Sequence, residues 1–390
     1  MPTMTDSPAP QSIVVFRALQ LGDMLCSVPA FRALRAAYPH ARIALVGLPW
    51  ARTFVARYPA LLDEFIAFPG ARGFPEQPED ERDLPAFLDA MCERRFDLAI
   101  QLHGSGGVAN TLVRGFGARA MSGFMQPRET PPPGCFIAWP DDLPEPLRYL
   151  ALMRAMGIRG TAVRDDTLWF PLHDTDRDEC AAVIEHHALD PARLVLVHPG
   201  SQLPSRRWPA ERFAAVADAL AAEGWQIAVT GTEGEREITA GVLGAMTQPA
   251  QHLAGETSLG ALAALVEQAR LVVCNDTGLS HVAAAMRTPS VVVASGSDTR
   301  RWAPLDHARH RVVADWPACR PCMFRECPYG HPCALNVSVE RVAELAHAQL
   351  GGADNRHARW ARPGAAPAAS PTFLAAAPLP PADSRRTPTC

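Results

Sequence analysis

The chain contains no lysine: all 37 of its Lys/Arg-type cations are arginine. With so much alanine and proline alongside, that reads as compositional bias, so a single arginine is weak evidence for a selected guanidinium. No apolar run approaches the roughly 20 residues needed to cross a bilayer, which excludes a membrane-spanning helix. Met1 to Ser12 lacks both a basic start and an apolar core, so no secretory signal is visible and a cytoplasmic location is expected. The net charge of -4 offers nucleic acid no electrostatic footing. Two phosphate-binding fingerprints are also missing. No G-x-G-x-x-G follows the first apolar strand and no G-x-x-x-x-G-K-[ST] occurs anywhere, which weighs against a nicotinamide dehydrogenase and a P-loop nucleotidase.

What is present fits a soluble globular protein of two domains. The chain has 390 residues, 48% hydrophobic and 20% charged, and is too long for one ordinary core. Apolar strands are expected at Ile13–Phe16, Arg42–Val46, Glu64–Phe68 and Asp97–Leu102, with helical patterns between them. Pro29 should kink or delay the first helix. Pro127 to Pro146 reads as a surface loop near a cleft, followed by a helix over 146–156. The alternation restarts with Leu194–Val197, a helix over 209–222, Gln226–Val229, helices over 235–243 and 259–267, and Leu271–Cys274. Strand–helix alternation of this kind predicts parallel, doubly wound sheets. The expected α/β layout is therefore a flexible start at 1–12, an N-terminal Rossmann-like domain at 13–172, a second at 173–350, and a disordered Ala/Pro-rich tail at 351–390.

The chemistry-bearing residues lie just past strands. After Leu271–Cys274 come Asn275-Asp276-Thr277-Gly278-Leu279-Ser280-His281. Asp276 and Thr277 suit a helix N-cap, Gly278 permits close backbone approach, and His281 falls about one turn further on. Strand ends that feed helix starts bind anions through free N–H groups and the helix dipole, although plain capping explains the same residues. His198-Pro199-Gly200-Ser201 and Arg206-Arg207-Trp208-Pro209 likewise suit a phosphate loop or a solvated basic turn. Gly231-Thr232-Glu233-Gly234-Glu235 could present a carboxylate to ribose hydroxyls or simply an acidic helix start. Asp23, after Leu21-Gly22, could be a general base or a cap.

These motifs, together with Pro29-Ala30-Phe31-Arg32-Ala33-Leu34, resemble in order the ADP-heptose:lipopolysaccharide heptosyltransferases of glycosyltransferase family 9, over about residues 13–350. The resemblance implies the GT-B fold, two Rossmann-like domains facing across a cleft, and inverting transfer of a sugar from a nucleotide donor. It implies Asp23 as catalytic base. It implies Gly200, Ser201 and Arg206 as the phosphate loop, Glu235 as the ribose contact, and Asp276, Thr277, Gly278 and His281 as donor-sugar and diphosphate contacts. Members with assigned heptose chemistry often carry threonines at the positions of Gly200 and Ser201 and lysine at that of Arg206. The donor implied is ADP-heptose and the acceptor a lipid-linked core sugar at the inner membrane surface, with no nucleic-acid partner. No cofactor is implied for catalysis.

His103 and Asn110, beyond the fourth strand, could touch the acceptor, and a helix-start turn explains them equally well. Cys319, Cys322, Cys327 and Cys333 have spacing that allows a structural zinc or iron site; reduced loop thiols are the alternative. Two rival functions stay open here: sugar transfer to a protein or other glycan, and non-catalytic nucleotide-sugar binding.

Overall fold

The structure, a computed structural model, describes residues 9–77, 83–126, 129–130 and 133–351. The expected tail, apart from Gly351, lies outside the described residues, as does most of the expected flexible start. The described residues all fall within one compact unit. Its strands are β1 (Ser12–Phe16), β2 (Arg42–Gly47), β3 (Glu64–Ala67), β4 (Leu98–Gln101), β5 (Ala120–Met125), β6 (Gly134–Ala138), β7 (Leu194–His198), β8 (Gln226–Val229), β9 (Gln251–His252), β10 (Leu271–Asn275), β11 (Ser290–Val293) and β12 (His310–Val313). The helices are α1 (Leu21–Ala37), α2 (Ala51–Arg57), α3 (Asp83–Glu93), α4 (Val108–Arg114), α5 (Glu145–Ala155), α6 (Asp174–His186), α7 (Ala210–Ala222), α8 (Arg236–Ala245), α9 (Leu259–Gln268), α10 (Gly278–Met286), α11 (Thr299–Trp302), α12 (Pro332–Leu335) and α13 (Val339–Gly351).

The strands form two sheets, ordered β3-β2-β1-β4-β5-β6 and β12-β11-β10-β7-β8-β9. Among the described residues the strand pairings are parallel, for example Val14 with Ala44 and Ala99, and Val273 with Val197 and Val291. Counted from its own first strand, each sheet has the doubly wound order, which reverses direction between its first and fourth strands. Those switch points are β1/β4 and β7/β10. The strands there are buried on both faces, as their continuous Val/Ile/Leu runs require: Ile13 to Phe16 and Leu271 to Asn275 are buried throughout. The α/β architecture of two Rossmann-like sheets agrees with the expected GT-B fold.

Two expectations are corrected. The first helix does not start late at Pro29. It runs unbroken from Leu21 to Ala37 with Pro29 buried inside it, because Pro29 sits about two turns in and the bond it forfeits is the one from its own missing N–H. The stretch after Gly123 is not all loop: Gly134–Ala138 pairs with Met121–Met125 as the edge strand β6. At an edge, a strand needs partners on one side only, so its half-apolar pattern and flanking prolines escaped notice. The strand β5 beside it was also missed.

The two sheets meet through helices. α1 packs on α5 and α10, and α6 packs on α9. Met24, Leu25 and Phe31 of α1 belong to the same buried cluster as Leu279 and Val282 of α10. Among the described residues, no helix is long and apolar enough to cross a membrane.

Candidate active site

The candidate residues gather at the two switch points, and the two points face each other. β1 ends at Phe16 and delivers Arg17. α1 then begins at Leu21, so Asp23 lies in its first turn, where a carboxylate is favoured by the helix dipole. Asp23 is not the N-cap; that position is Gln20, whose side chain makes no capping bond. Across from it, β10 ends at Asn275 and α10 begins at Gly278. Thr277 is the N-cap, its Oγ1 accepting the Leu279 N–H at 3.3 Å.

A glycine lets these helix starts touch. A Cβ on Gly22 would lie 2.8 Å from Cδ2 of His281 and 3.4 Å from Cα of Gly278. Gly278, expected to admit a ligand, also lies against α1, although a Cβ there would meet Leu21 and the Gly22 nitrogen only at ordinary contact distance. His281 is 5% exposed. Its ring sits over Gly22, with Nδ1 3.6 Å from Sγ of Cys26. Loss of hydration lowers its basicity, only partly opposed by Asp276, Asp23 and Glu145.

Asp23 keeps 24% of its side-chain surface exposed. Its pKa is raised, first because burial penalises the anion; Glu145 adds to the rise, while Arg17 and Arg301 oppose it. Arg17 is fully buried. Its Nε and Nη2 donate to the Asp23 carbonyl at 3.0 and 2.6 Å, and Nη1 donates to the Leu102 carbonyl at 2.5 Å. The guanidinium thus fastens the start of α1 to the β4 end, with Nη2 3.8 Å from the Asp23 carboxylate. A carboxylate of raised pKa beside one fixed cation, partly open to solvent, is equipped to accept a proton.

On the opposite side, Asn275 is the organiser. Fully buried, it accepts the Trp208 N–H at 2.9 Å and donates to the Pro199 carbonyl at 2.7 Å. One amide thereby holds both ends of the 199–208 loop at the end of β10. Gly200 leaves room for the Glu235 carboxylate, which would have to shift to admit a Cβ there. That carboxylate also closes a capping box, accepting the Thr232 N–H and hydroxyl at 2.9 Å each. Ser201 is buried, its carbonyl accepting from Nε of Arg207 at 2.9 Å. Asp276 accepts the Ser297 hydroxyl at 2.5 Å.

Arg206 is held by two backbone carbonyls. Its Nη1 donates to the Ser295 carbonyl at 3.2 Å and its Nη2 to the Cys322 carbonyl at 2.5 Å. It thus ties the loop to the Cys-rich segment, and burial lowers its basicity, partly opposed by Cys322 and Asp276. Ser205 adds to this tie: it donates to the Arg325 carbonyl from its N–H at 3.1 Å and to the Phe324 carbonyl from its hydroxyl, and its own carbonyl accepts from His331 Nε2 at 2.9 Å. The four thiols are free. Among the described residues, no group of three or more His, Cys, Asp or Glu side chains is placed to hold a metal ion. The donor set has the right chemistry for a tetrahedral site, but it is not gathered into one.

His103 follows β4 at the first switch point. It stacks on Phe16 and accepts the Ala18 N–H at Nδ1, 3.2 Å away. Burial, helped by Arg17, pushes its pKa down to about 3, so it is neutral. Asn110 is buried and donates to the Phe124 carbonyl at 2.9 Å; it lies beneath the surface rather than on it. The residues that sequence reasoning missed are Glu145, Tyr149 and Arg301. Glu145 opens α5 and accepts two bonds from Arg301, at 2.6 and 3.0 Å, and one from the Tyr149 hydroxyl. Nothing in the local pattern marks it, since an acidic residue at a helix start is commonplace.

With this geometry in hand, comparison with known proteins is direct. The sequence profile of glycosyltransferase family 9 (heptosyltransferase) matches residues 84–332. The chain is 28% identical over 353 residues to lipopolysaccharide heptosyltransferase 2 of Salmonella typhimurium, covering 87% of this chain and 98% of that protein. A glycosyltransferase family 9 structure from Veillonella parvula superposes with a TM-score of 0.71 at 22% identity, over 87% of this chain and 97% of the other. The Escherichia coli ADP-heptose lps heptosyltransferase II superposes with a TM-score of 0.65 at 24% identity, over 87% and 98%.

Proposed function

The chain belongs to glycosyltransferase family 9, and from that premise we propose that it transfers heptose, with inversion, from ADP-heptose to a lipid-linked lipopolysaccharide core sugar at the cytoplasmic face of the inner membrane. The two sheets then correspond to an acceptor-side domain at 13–172 and a donor-side domain at 173–350. The observation that carries the reading is the meeting of the two switch points through Gly22 and Gly278, with Asp23 on one side and the α10 start on the other.

In this reading Asp23 takes the proton of an acceptor hydroxyl as that oxygen bonds to the anomeric carbon, and the bond from that carbon to the donor diphosphate breaks on the opposite face. The departing diphosphate gains charge beside the first N–H groups of α10, which have no acceptor within the helix. Thr277, Gly278, Asp276 and His281 line that end. Gly200 and Ser201 carry the phosphate loop, Arg206 supplies a fixed positive charge behind it, and Glu235 stands where ribose hydroxyls would arrive. His103 flanks the acceptor side beside Arg17, with Asn110 supporting the wall behind it. No step as written needs a metal ion. A structural zinc or iron on Cys319, Cys322, Cys327 and Cys333 is proposed on donor chemistry alone.

The test has two arms. Calorimetry with ADP-heptose, other ADP-sugars, UDP-sugars and GDP-sugars should show ADP-heptose binding most tightly. Turnover with donor and lipid-linked core acceptor should fall about 10²–10⁴-fold in Asp23→Asn with donor affinity kept. No affinity for any nucleotide sugar would end the donor reading. Near-normal turnover in Asp23→Asn would end the assignment of the base.

A further inference from the structure

The transfer as written makes no use of Glu145, yet it is the most heavily partnered carboxylate near the site. Its side chain is 1% exposed. Arg301 donates to it twice and Tyr149 once, Arg17 Nη2 lies 3.8 Å away, and Arg148 Nη1 lies 3.7 Å away. The partners come from both halves of the fold. Arg17 follows β1 and Arg148 and Tyr149 belong to α5, whereas Arg301 belongs to α11, between β11 and β12 of the other sheet.

The geometry around Arg17 is symmetrical in one respect. Its Nη2 is 3.8 Å from Asp23 Oδ1 and 3.8 Å from Glu145 Oε1. One buried cation is therefore shared by two carboxylates. The other titratable groups facing Asp23 are Cys26 on α1, Tyr149 on α5 and His281 on α10. Burial holds the thiol and the phenol protonated and the imidazole unprotonated. The charges that act on Asp23 are thus Arg17, Glu145 and Arg301, with Arg148 beside Glu145.

Resting on the reading of Asp23 as the base, we propose that Glu145 is a positioning residue for catalysis: it balances Arg17 and clamps Arg301 across the two halves, so that the Asp23 carboxylate is not captured in a closed ion pair and stays free to accept a proton. Without Glu145, Asp23 would be the sole anion among three guanidiniums, and a buried cation left without its partner seeks another. Arg17 would close on it. Without Arg301, Arg17 would instead turn toward Glu145 and leave Asp23 poorly compensated.

These two losses act on Asp23 in opposite directions, which gives the test. Glu145→Gln keeps the shape and an acceptor for Arg301 while removing the charge. The acid limb of its pH–kcat profile should move to lower pH, with kcat reduced by less than the roughly 10²–10⁴-fold expected for loss of the base itself. Arg301→Gln, at a partly exposed position, should move the same limb to higher pH. Glu145→Asp should restore the wild-type limb, because the charge returns. A residue with a merely structural role would lower activity without moving the limb in opposed directions. Thermal melts of all three variants identify any that fail to fold, and Arg301→Gln carries the test if Glu145→Gln does not fold. An unmoved limb in a folded Glu145→Gln, or a shift in the same direction for both variants, overturns the proposal. Asp23→Asn separates the two failures. If it retains turnover, the base assignment fails; if it loses turnover while both limbs stay in place, only the role of Glu145 fails.

Discussion

Gly22→Ala should damage this protein and Gly278→Ala should not, although both glycines sit at helix starts that touch. In a helix, alanine normally gains about 0.5–1 kcal/mol over glycine. At Gly22 the new methyl would lie 2.8 Å from Cδ2 of His281 and 3.4 Å from Cα of Gly278. Neither neighbour is a flexible chain end: one is backbone, and the other is a ring enclosed by Cys26 and Trp302. Overpacking of this kind costs about 1–3 kcal/mol; set against the gain from alanine, the net loss centres on about 1 kcal/mol, within about 0–2.5 kcal/mol. At about 2–4 °C per kcal/mol for domains of 150–250 residues, the melting temperature should drop by a few degrees. Turnover should fall further than stability, because relieving the clash moves Asp23 away from α10, and about 1 Å of misplacement can cost about 10²-fold. At Gly278 the methyl would meet Leu21 at 3.5 Å and the Gly22 nitrogen at 3.6 Å, ordinary contact distances. That variant should melt at or above the wild-type temperature. Scanning calorimetry and turnover on the pair decide the matter. Equal melting temperatures, or a larger loss at Gly278, would refute the claim that the two helix starts are packed through Gly22.

Asn275→Ala strands the Trp208 N–H and the Pro199 carbonyl, each costing about 1–3 kcal/mol when left unpaired; denaturant unfolding should show a loss in that range and calorimetry a weaker grip on the donor, and unchanged values in both would remove Asn275 as organiser. His103, His198, His281 and His310 all have their basicity lowered by burial, His103 to about 3 and His310 to about 4. The unfolded chain gains protons below about 6.5 that the folded chain cannot take, so stability should fall as pH drops through that value, by up to about 1.4 kcal/mol per pH unit for each histidine; denaturant midpoints that stay flat from pH 7 to pH 5 would contradict this. Protein purified without added metal should carry about one zinc or iron per chain if the four thiols form a tetrahedral site, and a metal-free chain whose thiols all react freely would dismiss it.

What could be read in advance was whatever depends on local pattern. The strands at the switch points are continuous apolar runs followed by polar, glycine-containing turns, and both properties follow from burial on two faces and from anion-binding helix starts. Such local pattern is enough to mark Asp23, Gly200, Asp276 and Gly278 as candidates. The edge strand β6 was not, because edge pairing imposes little on sequence. Pro29 misled because a proline's effect depends on which single bond it forfeits, and α1 loses only one. Glu145 and Arg301 are 156 positions apart; no periodicity joins them, and each alone is an unremarkable surface type. Arg206 lies in the 199–208 loop, and its partners, the Ser295 and Cys322 carbonyls, are set by tertiary folding alone.

The contacts that fix Asp23 relative to the donor side share a property that bears on how the reaction can be controlled. Gly22 against His281, Glu145 with Arg301, and Arg57 with Asp176, where Nη2 donates to Oδ1 at 3.1 Å, all join the first half of the chain to the second. Two are charge pairs and one is a glycine contact. Apolar packing between α1 and α10 is non-directional and tolerates sliding; the directional contacts do not. Asp176 has its pKa lowered, chiefly because bonds from Arg57 and the His173 N–H outweigh its burial. Its stabilising contribution is therefore present above the ordinary aspartate value and is lost as pH falls through the lowered one. The Glu145 carboxyl is held low in the same sense by Arg301 and Arg17 against its burial. Both clamps thus persist through the acid range in which Asp23, its pKa raised, has already taken up its proton. Acid should silence the base before it loosens the two halves.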